Sequence, residues 1–332
     1  MTDSFKQPAL DFFLEKFPEL NFISNYPLSE LTYFKIGGPA EIMVEINKRK
    51  DLIDLIKVCR DNKIDFVVLG GASNVIVSDE GLKKLVIVTS NNNLETVDDQ
   101  VDDQKNISND STLIRVDCGI KTSDLVTKTV SMGLTGLEPF FGVPGKLGGA
   151  VYNNSHFQTE LIGNYIAQVE VLTPQNQIIW ISQSECQFNY DYSRFQESGE
   201  IILRVEFLLK KGDKQKSKQI IRNSMIYRSK TQPLHLPSSG CIFKNVKNTP
   251  KLKKLFNDFA NREFISAGFL IDRAGLKGLR EGGIEVSAKH AAFMVNHKGG
   301  KAKDLRKLIK KVKENVYDKY GVELKEEVFW LE

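Results

Sequence analysis

Apolar and polar positions follow two rhythms along this chain. Glu41–Ile46 (EIMVEI) is a short β-rich run, and the stretch after it carries Leu52, Ile53, Ile56 and Cys59 at helical spacing. Phe66–Leu69 (FVVL) reads as a buried strand ending at Gly70 and Gly71, and Leu85–Val88 (LVIV) as another. The pattern is βαβ-like and sets a Gly-rich loop at the carboxyl end of a strand, where α/β sheets place ligands. Leu113–Val116, Gln168–Leu172, Ile178–Ile181 and Ile201–Leu209 are strand-like and predict a second, sheet-rich domain. Residues 210–230 turn basic and helix-compatible, which marks the start of a third domain. Leu305, Leu308, Ile309, Val312, Val316 and Tyr320, three and four apart, predict a closing amphipathic helix. Lys303, Lys307, Lys310, Lys311 and Lys313 lie on its other face and read as a solvated surface, since no aromatic residue interleaves them. Phe12, Phe13 and Phe17 in the extension 1–24 either pack back as an extra helix or meet a partner; packing is the expectation. Residues 97–113 are acidic and aromatic-free, an exposed loop or insertion.

Composition narrows the class. A chain of 332 residues has room for two or three domains, and 41% hydrophobic with 27% charged residues excludes wholesale disorder. Forty-six Lys and Arg against 42 Asp and Glu leave +4, too weak a field to argue for nucleic acid. Cys59, Cys118, Cys186 and Cys241 lie far apart with no Cys-x-x-Cys, so neither disulfides nor a metal site are expected. No apolar run approaches the ~18 residues of a membrane span. Residues 1–30 lack a signal-peptide core. The expectation is a cytoplasmic protein acting on small molecules, with no nucleic-acid or membrane partner. No heptad seam stands free of a core explanation, and a monomer is expected.

Glycines cluster at 37–38, in Gly70-Gly71-Ala72-Ser73-Asn74, and in Gly142-Val143-Pro144-Gly145-Lys146-Leu147-Gly148-Gly149. Such runs let backbone N–H groups converge on an anion without interference from Cβ atoms. Two of these loops, each read as ending a strand-like run, point to a phosphate-bearing cofactor. The pattern is neither Gly-x-Gly-x-x-Gly nor Gly-Lys-[Ser/Thr].

Further candidates are Pro237–Asn245 (PSSGCIFKN), Ile265–Gly278 with Val286–Asn296, and Leu324–Val328 (LKEEV). Read singly, each has a bland account: Cys241 as a small core residue, Glu327 as a solvated charge, His290 as a packing histidine. Taken in order, the segments resemble the UDP-N-acetylenolpyruvoylglucosamine reductase family, flavoenzymes of peptidoglycan precursor synthesis. The matching stretches are Thr32-x-x-x-Ile36-Gly37-Gly38-Pro39-Ala40, Gly70–Asn74 with Val75-Ile76-Val77-Ser78-Asp79-x-Gly81, and Gly136-Leu137-Glu138 leading to Gly142–Gly149. Gln232-Pro233-Leu234, Gly240–Asn245, Ala274–Gly278, His290–Asn296 and Leu324–Val328 continue the series to the C-terminus. The short passage from Leu209 to Gly240 is similar to the subclass without a substrate-clamping insertion.

The resemblance implies an α+β and α/β architecture: a vanillyl-alcohol-oxidase-type FAD fold in two subdomains, 1–88 and 89–212, a substrate domain 213–323, and a segment 324–332 returning to the active site. It implies FAD held by Gly70, Gly71, Ala72, Ser73, Asn74, Val75, Pro144, Gly145, Lys146, Gly148, Gly149 and Asn154, with NADPH as reductant. Substrate binding falls to Tyr190, Gln232, Lys244 and Asn245. Hydride passes through the flavin to C3 of the enolpyruvyl ether, and a proton is then needed at C2. The family's proton-donating Ser position is Cys241 here, and Glu327 matches its C-terminal glutamate. A thiol of pKa ~8.5 donates a proton far more readily than a hydroxyl.

Four departures stand out. The family's Tyr-Arg-x-Ser-x-Phe, whose arginine meets the substrate carboxylate, reads Tyr190-Asp191-Tyr192-Ser193-Arg194-Phe195, with an acid where a cation is expected. Arg194 or Arg228 is expected to replace it, Arg194 being nearer in sequence. Lys146 stands where Thr or Ser is usual, Asn154–Thr159 replaces Asn-Ala-Gly-Ala-Tyr-Gly, and Val246 replaces a proline. The alternatives are another flavin oxidase or dehydrogenase of this superfold acting on a sugar or hydroxy acid, or a non-catalytic flavin-binding regulator.

Overall fold

The computed structural model describes residues 6–97 and 108–332, and side chains from residue 10 onward. The described chain divides into two compact units. One comprises the residues up to Tyr26, Glu41–Gly71 and the described part of Lys83–Tyr227; the other comprises Pro27–Ala40, Ala72–Leu82 and Arg228–Glu332.

The first unit holds two sheets. Strands run in the order Phe22–Pro27, Pro39–Ile46, Leu82–Thr89, Phe66–Leu69, the last two parallel with Phe66 opposite Leu85. Helix Arg49–Asp61 connects two of them and buries Leu52, Ile53, Ile56 and Cys59, the stripe its spacing predicts, and Leu55 besides. Leu69 is buried, but Phe66, Val67 and Val68 are half-buried, not buried as expected, because the strand is at a sheet edge with one neighbour. The second sheet is built on the long strand Ile201–Lys211, antiparallel to Ile166–Leu172 on one side and to Ser111–Asp117 on the other. Ile178–Ser182 and Leu94–Thr96 flank them. The stretch read as a loop thus ends early, since the chain is already in a strand at Ser111; its residues 98–107 lie outside the described ones.

Helix Lys6–Lys16 joins the core of this unit: Phe13 is fully buried and its ring stacks on Phe22 at 5.1 Å, while Phe12 and Phe17 pack against the same core. Residues 6–16 of the extension therefore pack as an added helix. Glu138 is fully buried too. It accepts from Thr135 Oγ1 and the Gly136 N–H, both at 2.6 Å, and from Ser217 Oγ on helix Lys214–Thr231. That helix covers most of the basic stretch 210–230, and its residues through Tyr227 group with the first unit.

The second unit is a small α+β core. Arg280–Glu281, Ile284–Val286 and Met294–Asn296 form an antiparallel sheet, backed by helices Ala267–Arg273 and Ala302–Tyr320. The long helix buries all six residues of its predicted stripe, and Lys303, Lys307, Lys310 and Lys311 are exposed as expected. Asp79 holds its start, accepting from the N–H groups of Ala302 and Lys303 at 2.8 and 3.0 Å. The C-terminal strand Phe329–Leu331 runs parallel to Val75–Val77. Among the described residues no helix is long and apolar enough to cross a membrane.

Candidate active site

The glycine loops of the first unit meet at Gly71. A Cβ there would lie 2.5 Å from Gly145 Cα and 3.2 Å from Lys146 N, so the two backbones abut with no room for a side chain. The second loop does not end a strand, as the sequence pattern suggested. It leaves a 3-10 turn at Glu138–Phe140 and opens the short helix Leu147–Tyr152. It is sewn to the end of strand Ser111–Asp117 and the turn after it: Leu147 N donates to Ile120 O (2.9 Å), Gly148 N to Cys118 O (2.7 Å), and Thr122 N to Gly145 O (3.2 Å). At Gly149 a Cβ would meet nothing within 4 Å, which leaves open space against bare backbone.

Lys146 is half-buried and its Nζ donates to Thr89 O at 2.6 Å. Burial pushes its ammonium below the ordinary value, Glu45 pulls the other way, and the cation of Lys121 adds to the fall. Crowded glycine backbone, open space at Gly149 and two neighbouring lysines are a donor set suited to a diphosphate, so these residues fit FAD. Pro144 is exposed. Asn154 is fully buried and its amide is spent on the protein's own backbone: its Nδ2 donates to Asn189 O (2.7 Å), and its Oδ1 accepts from Gly163 N (2.9 Å).

Two other predicted residues of this unit lie close by. Tyr190 packs its ring at 4.9 Å from that of His156. Arg194 is held by Glu200 at 3.1 Å and donates to Glu185 O at 3.4 Å. Asp191, at the position of the family's arginine, is buried with its Oδ1 3.1 Å from His156 Nδ1.

In the second unit, Cys241–Asn245 is laced to the C-terminal segment. Glu327 N donates to Ile242 O at 2.8 Å, Lys244 N to Lys325 O at 2.9 Å, and Phe243 bridges Glu326. Cys241 also bridges Phe293 across the loop. Ala72, Ser73, Asn74 and Val75 belong here as well: Asn74 Nδ2 donates to Glu327 O (3.1 Å), and Val75 pairs with Phe329. Cys241, Lys244, Asn74 and Glu327 are therefore brought together by one hydrogen-bond ladder. Arg228 is buried; burial pushes its guanidinium below the ordinary value, and the charge of the Cys241 thiolate opposes that fall. Gln232 lies one turn beyond, its N–H donating to Arg228 O at 2.8 Å, and Asn245 is exposed with its Oδ1 3.4 Å from Ala267 N. His290 has its edge on Phe293 and burial pushes its imidazole down, in keeping with a packing role. Sequence reasoning placed Asp79 in a family-like stretch but gave it no role. It also missed the His156–Asp191 contact, 35 residues apart in the chain. Among the described residues no group of three or more His, Cys, Asp or Glu is placed to hold a metal ion.

Residues 40–182 match the model of an FAD binding domain, and residues 232–331 match that of the UDP-N-acetylenolpyruvoylglucosamine reductase C-terminal domain. Fold and matches together define a flavoprotein of the vanillyl-alcohol-oxidase type with an appended α+β domain. The chain is 35% identical over 315 residues to the UDP-N-acetylenolpyruvoylglucosamine reductase of Caldicellulosiruptor bescii, covering 93% of this chain and 90% of that one. It is 34% identical to the Streptococcus uberis protein of the same name, covering 95% of each. The crystal structure of UDP-N-acetylenolpyruvylglucosamine reductase from Thermus caldophilus superposes with a TM-score of 0.72 at 27% identity, covering 95% of this chain and 99% of that one. The chain belongs to the UDP-N-acetylenolpyruvoylglucosamine reductase family.

Proposed function

We propose that this protein uses NADPH and FAD to reduce UDP-N-acetylglucosamine enolpyruvate to UDP-N-acetylmuramate, in the cytoplasm, as a monomer. The observation that carries the reading is the ladder joining Cys241–Asn245 to Lys325–Glu327, because the reaction needs a proton donor beside a carboxyl group. Residues 1–88 and 89–212 would hold FAD, 213–323 the nucleotide sugar, and 324–332 the return to the active site. Gly70, Gly71, Ala72, Ser73, Asn74 and Val75 would bind FAD together with Pro144, Gly145, Lys146, Gly148, Gly149 and Asn154. Bound FAD supplies hydride exchange between NADPH and C3 of the enol ether.

Arrival of hydride at C3 leaves carbanion character at C2, spread into the adjacent carboxylate. Cys241 gives its thiol proton to C2, and Glu327 polarises the carboxyl group. Lys244 and Asn245 suit a diphosphate and its sugar, and Tyr190 and Gln232 are further candidates for binding the substrate. Neither arginine expected to face the substrate carboxylate is well placed for it: Arg194 is already paired with Glu200, and Arg228 is buried.

The test is optical. The purified protein should carry flavin absorbance that bleaches with NADPH under anaerobic conditions and recovers on adding the enolpyruvyl nucleotide sugar. Recovery with oxygen but not with the sugar would make it an oxidase, and a flavin that NADPH cannot bleach would make it a non-catalytic binder.

A further inference from the structure

Immediately after helix Leu147–Tyr152 the chain turns back on itself, with Asn154 N donating to Val151 O (3.0 Å) and Ser155 N to Ala150 O (2.7 Å). His156 therefore follows the second glycine loop within a few residues. Its Nδ1 is 3.1 Å from Asp191 Oδ1; Asp191 is 6% exposed at its side chain and His156 24%, so the acid is inside and the imidazole is reachable. Three non-glycine residues around the pair, Asn154, Gln158 and Asp191, take left-handed backbone conformations with φ of +46°, +56° and +50°. Such conformations persist only where the surroundings enforce them, and they gather at functional sites. The enforcement is visible: Asn154 ties the two loops together, while Ser193 Oγ and Gln196 Nε2 both donate to Tyr152 O, at 2.7 and 3.1 Å.

A carboxylate on Nδ1 fixes the tautomer of an imidazole and stabilises positive charge on the ring. Several other cations of this unit are already engaged: Arg194 on Glu200, Arg49 and Arg204 on Glu170, Lys146 on a backbone carbonyl. We propose that the His156–Asp191 pair binds the carboxylate of the acidic substrate, with His156 as the contacting cation and Asp191 as the residue that positions it. Two departures that look like damage when read singly, an acid at 191 and a histidine at 156, then become one exchange of charge between neighbouring loops. The inference rests on the reductase reading above and deepens it.

The experiment uses the FAD-loaded protein and two nucleotide sugars, UDP-N-acetylmuramate, which bears a carboxylate, and UDP-N-acetylglucosamine, which does not. Binding of each is read from the change in the flavin spectrum. His156→Gln and His156→Ala should weaken the carboxylate-bearing sugar by about tenfold or more, the worth of a hydrogen bond to a charged group, and leave the other within about twofold. KM for the enolpyruvyl substrate should rise in step while FAD content stays unchanged. Asp191→Asn should give a smaller loss of the same selectivity, and His156→Ala combined with Asp191→Arg should restore binding. Equal losses for both sugars, or no loss, would overturn the proposal while wild-type turnover leaves the reductase reading standing. A wild-type protein that binds flavin but fails to turn over the enolpyruvyl sugar would overturn both.

Discussion

Substitutions at Gly71 and Cys241 test separable parts of the proposed chemistry. With 2.5 Å between a would-be Cβ and Gly145 Cα, Gly71→Ala has no flexible side chain to push aside and must move one backbone off the other. We expect a protein that purifies with little flavin and has lost ~1–3 kcal/mol of stability, the usual cost of forcing volume into a packed site. Full flavin occupancy at wild-type stability would show that the loops are not locked as described. Cys241→Ala should leave flavin content and NADPH bleaching intact and slow reoxidation by the enolpyruvyl sugar ~100–10,000-fold, the range for a lost general acid. Cys241→Ser should recover most of that rate, since a hydroxyl donates at this position in the family. Cys241 carries an oxidisable sulfur that a serine would lack. Peroxide should therefore inactivate the wild type and spare the Ser variant; equal inactivation of both would place the lesion elsewhere.

Elements were legible in the sequence wherever one face was apolar over several turns or one run was β-branched. Helix Ala302–Tyr320 buries each of its six predicted residues, and Arg49–Asp61 its four, because 3.6-residue spacing leaves a core-facing helix no other solution. Phe66–Leu69 kept its bounds but not all of its burial: four apolar residues look the same at a sheet edge as at its centre, and only pairing decides. The Gly142–Gly149 loop was misread as the end of a strand because glycine runs punctuate helix starts equally well. The Glu138 turn shows what spacing cannot reveal, since its partner Ser217 is 79 residues away. Burial alone would raise the Glu138 carboxyl, but donation from Ser217, Thr135 and Gly136 outweighs it and holds the group below the usual glutamate value of about 4.3. A depressed folded value means the stabilisation is fully present above the unfolded value and is lost as pH falls through the folded one. Glu138→Gln should therefore cost ~1–3 kcal/mol in urea unfolding at pH 7. The gap from wild type should narrow once the pH drops below about 4. A gap that stays constant down to acid pH would mean the carboxylate is not ionised in the folded protein.

At the scale of the molecule, the sequence yields motifs in order but not the units they build. The second unit takes Arg228–Glu332 from one end of the chain and Pro27–Ala40 with Ala72–Leu82 from the other. Glu327 sits beside Asn74 only because strand Phe329–Leu331 pairs with Val75–Val77, a parallel match between residues some 250 positions apart that no local pattern announces. Phe34, Ile36 and Ile76 are nearly or fully buried in the same core as Leu305 and Val312, Asn296 Nδ2 donates to Phe34 O at 3.2 Å, and Asp79 caps the long helix. Residues 232–331 match a family model by themselves, so the segment reads as a separable domain, yet these contacts make it an incomplete one. Expressed alone, residues 228–332 would lose three large apolar side chains from the core, at ~2–5 kcal/mol each on the scale of large-to-small substitutions. They would also lose a strand partner and a helix cap. That sum reaches or exceeds the few kcal/mol by which a domain of this size is stable. We expect the fragment to give a broad, non-cooperative thermal transition and poorly dispersed amide resonances, whereas co-expression with residues 27–82 should restore a cooperative one. A sharp transition from the fragment alone would show that the early segments decorate this core and do not complete it.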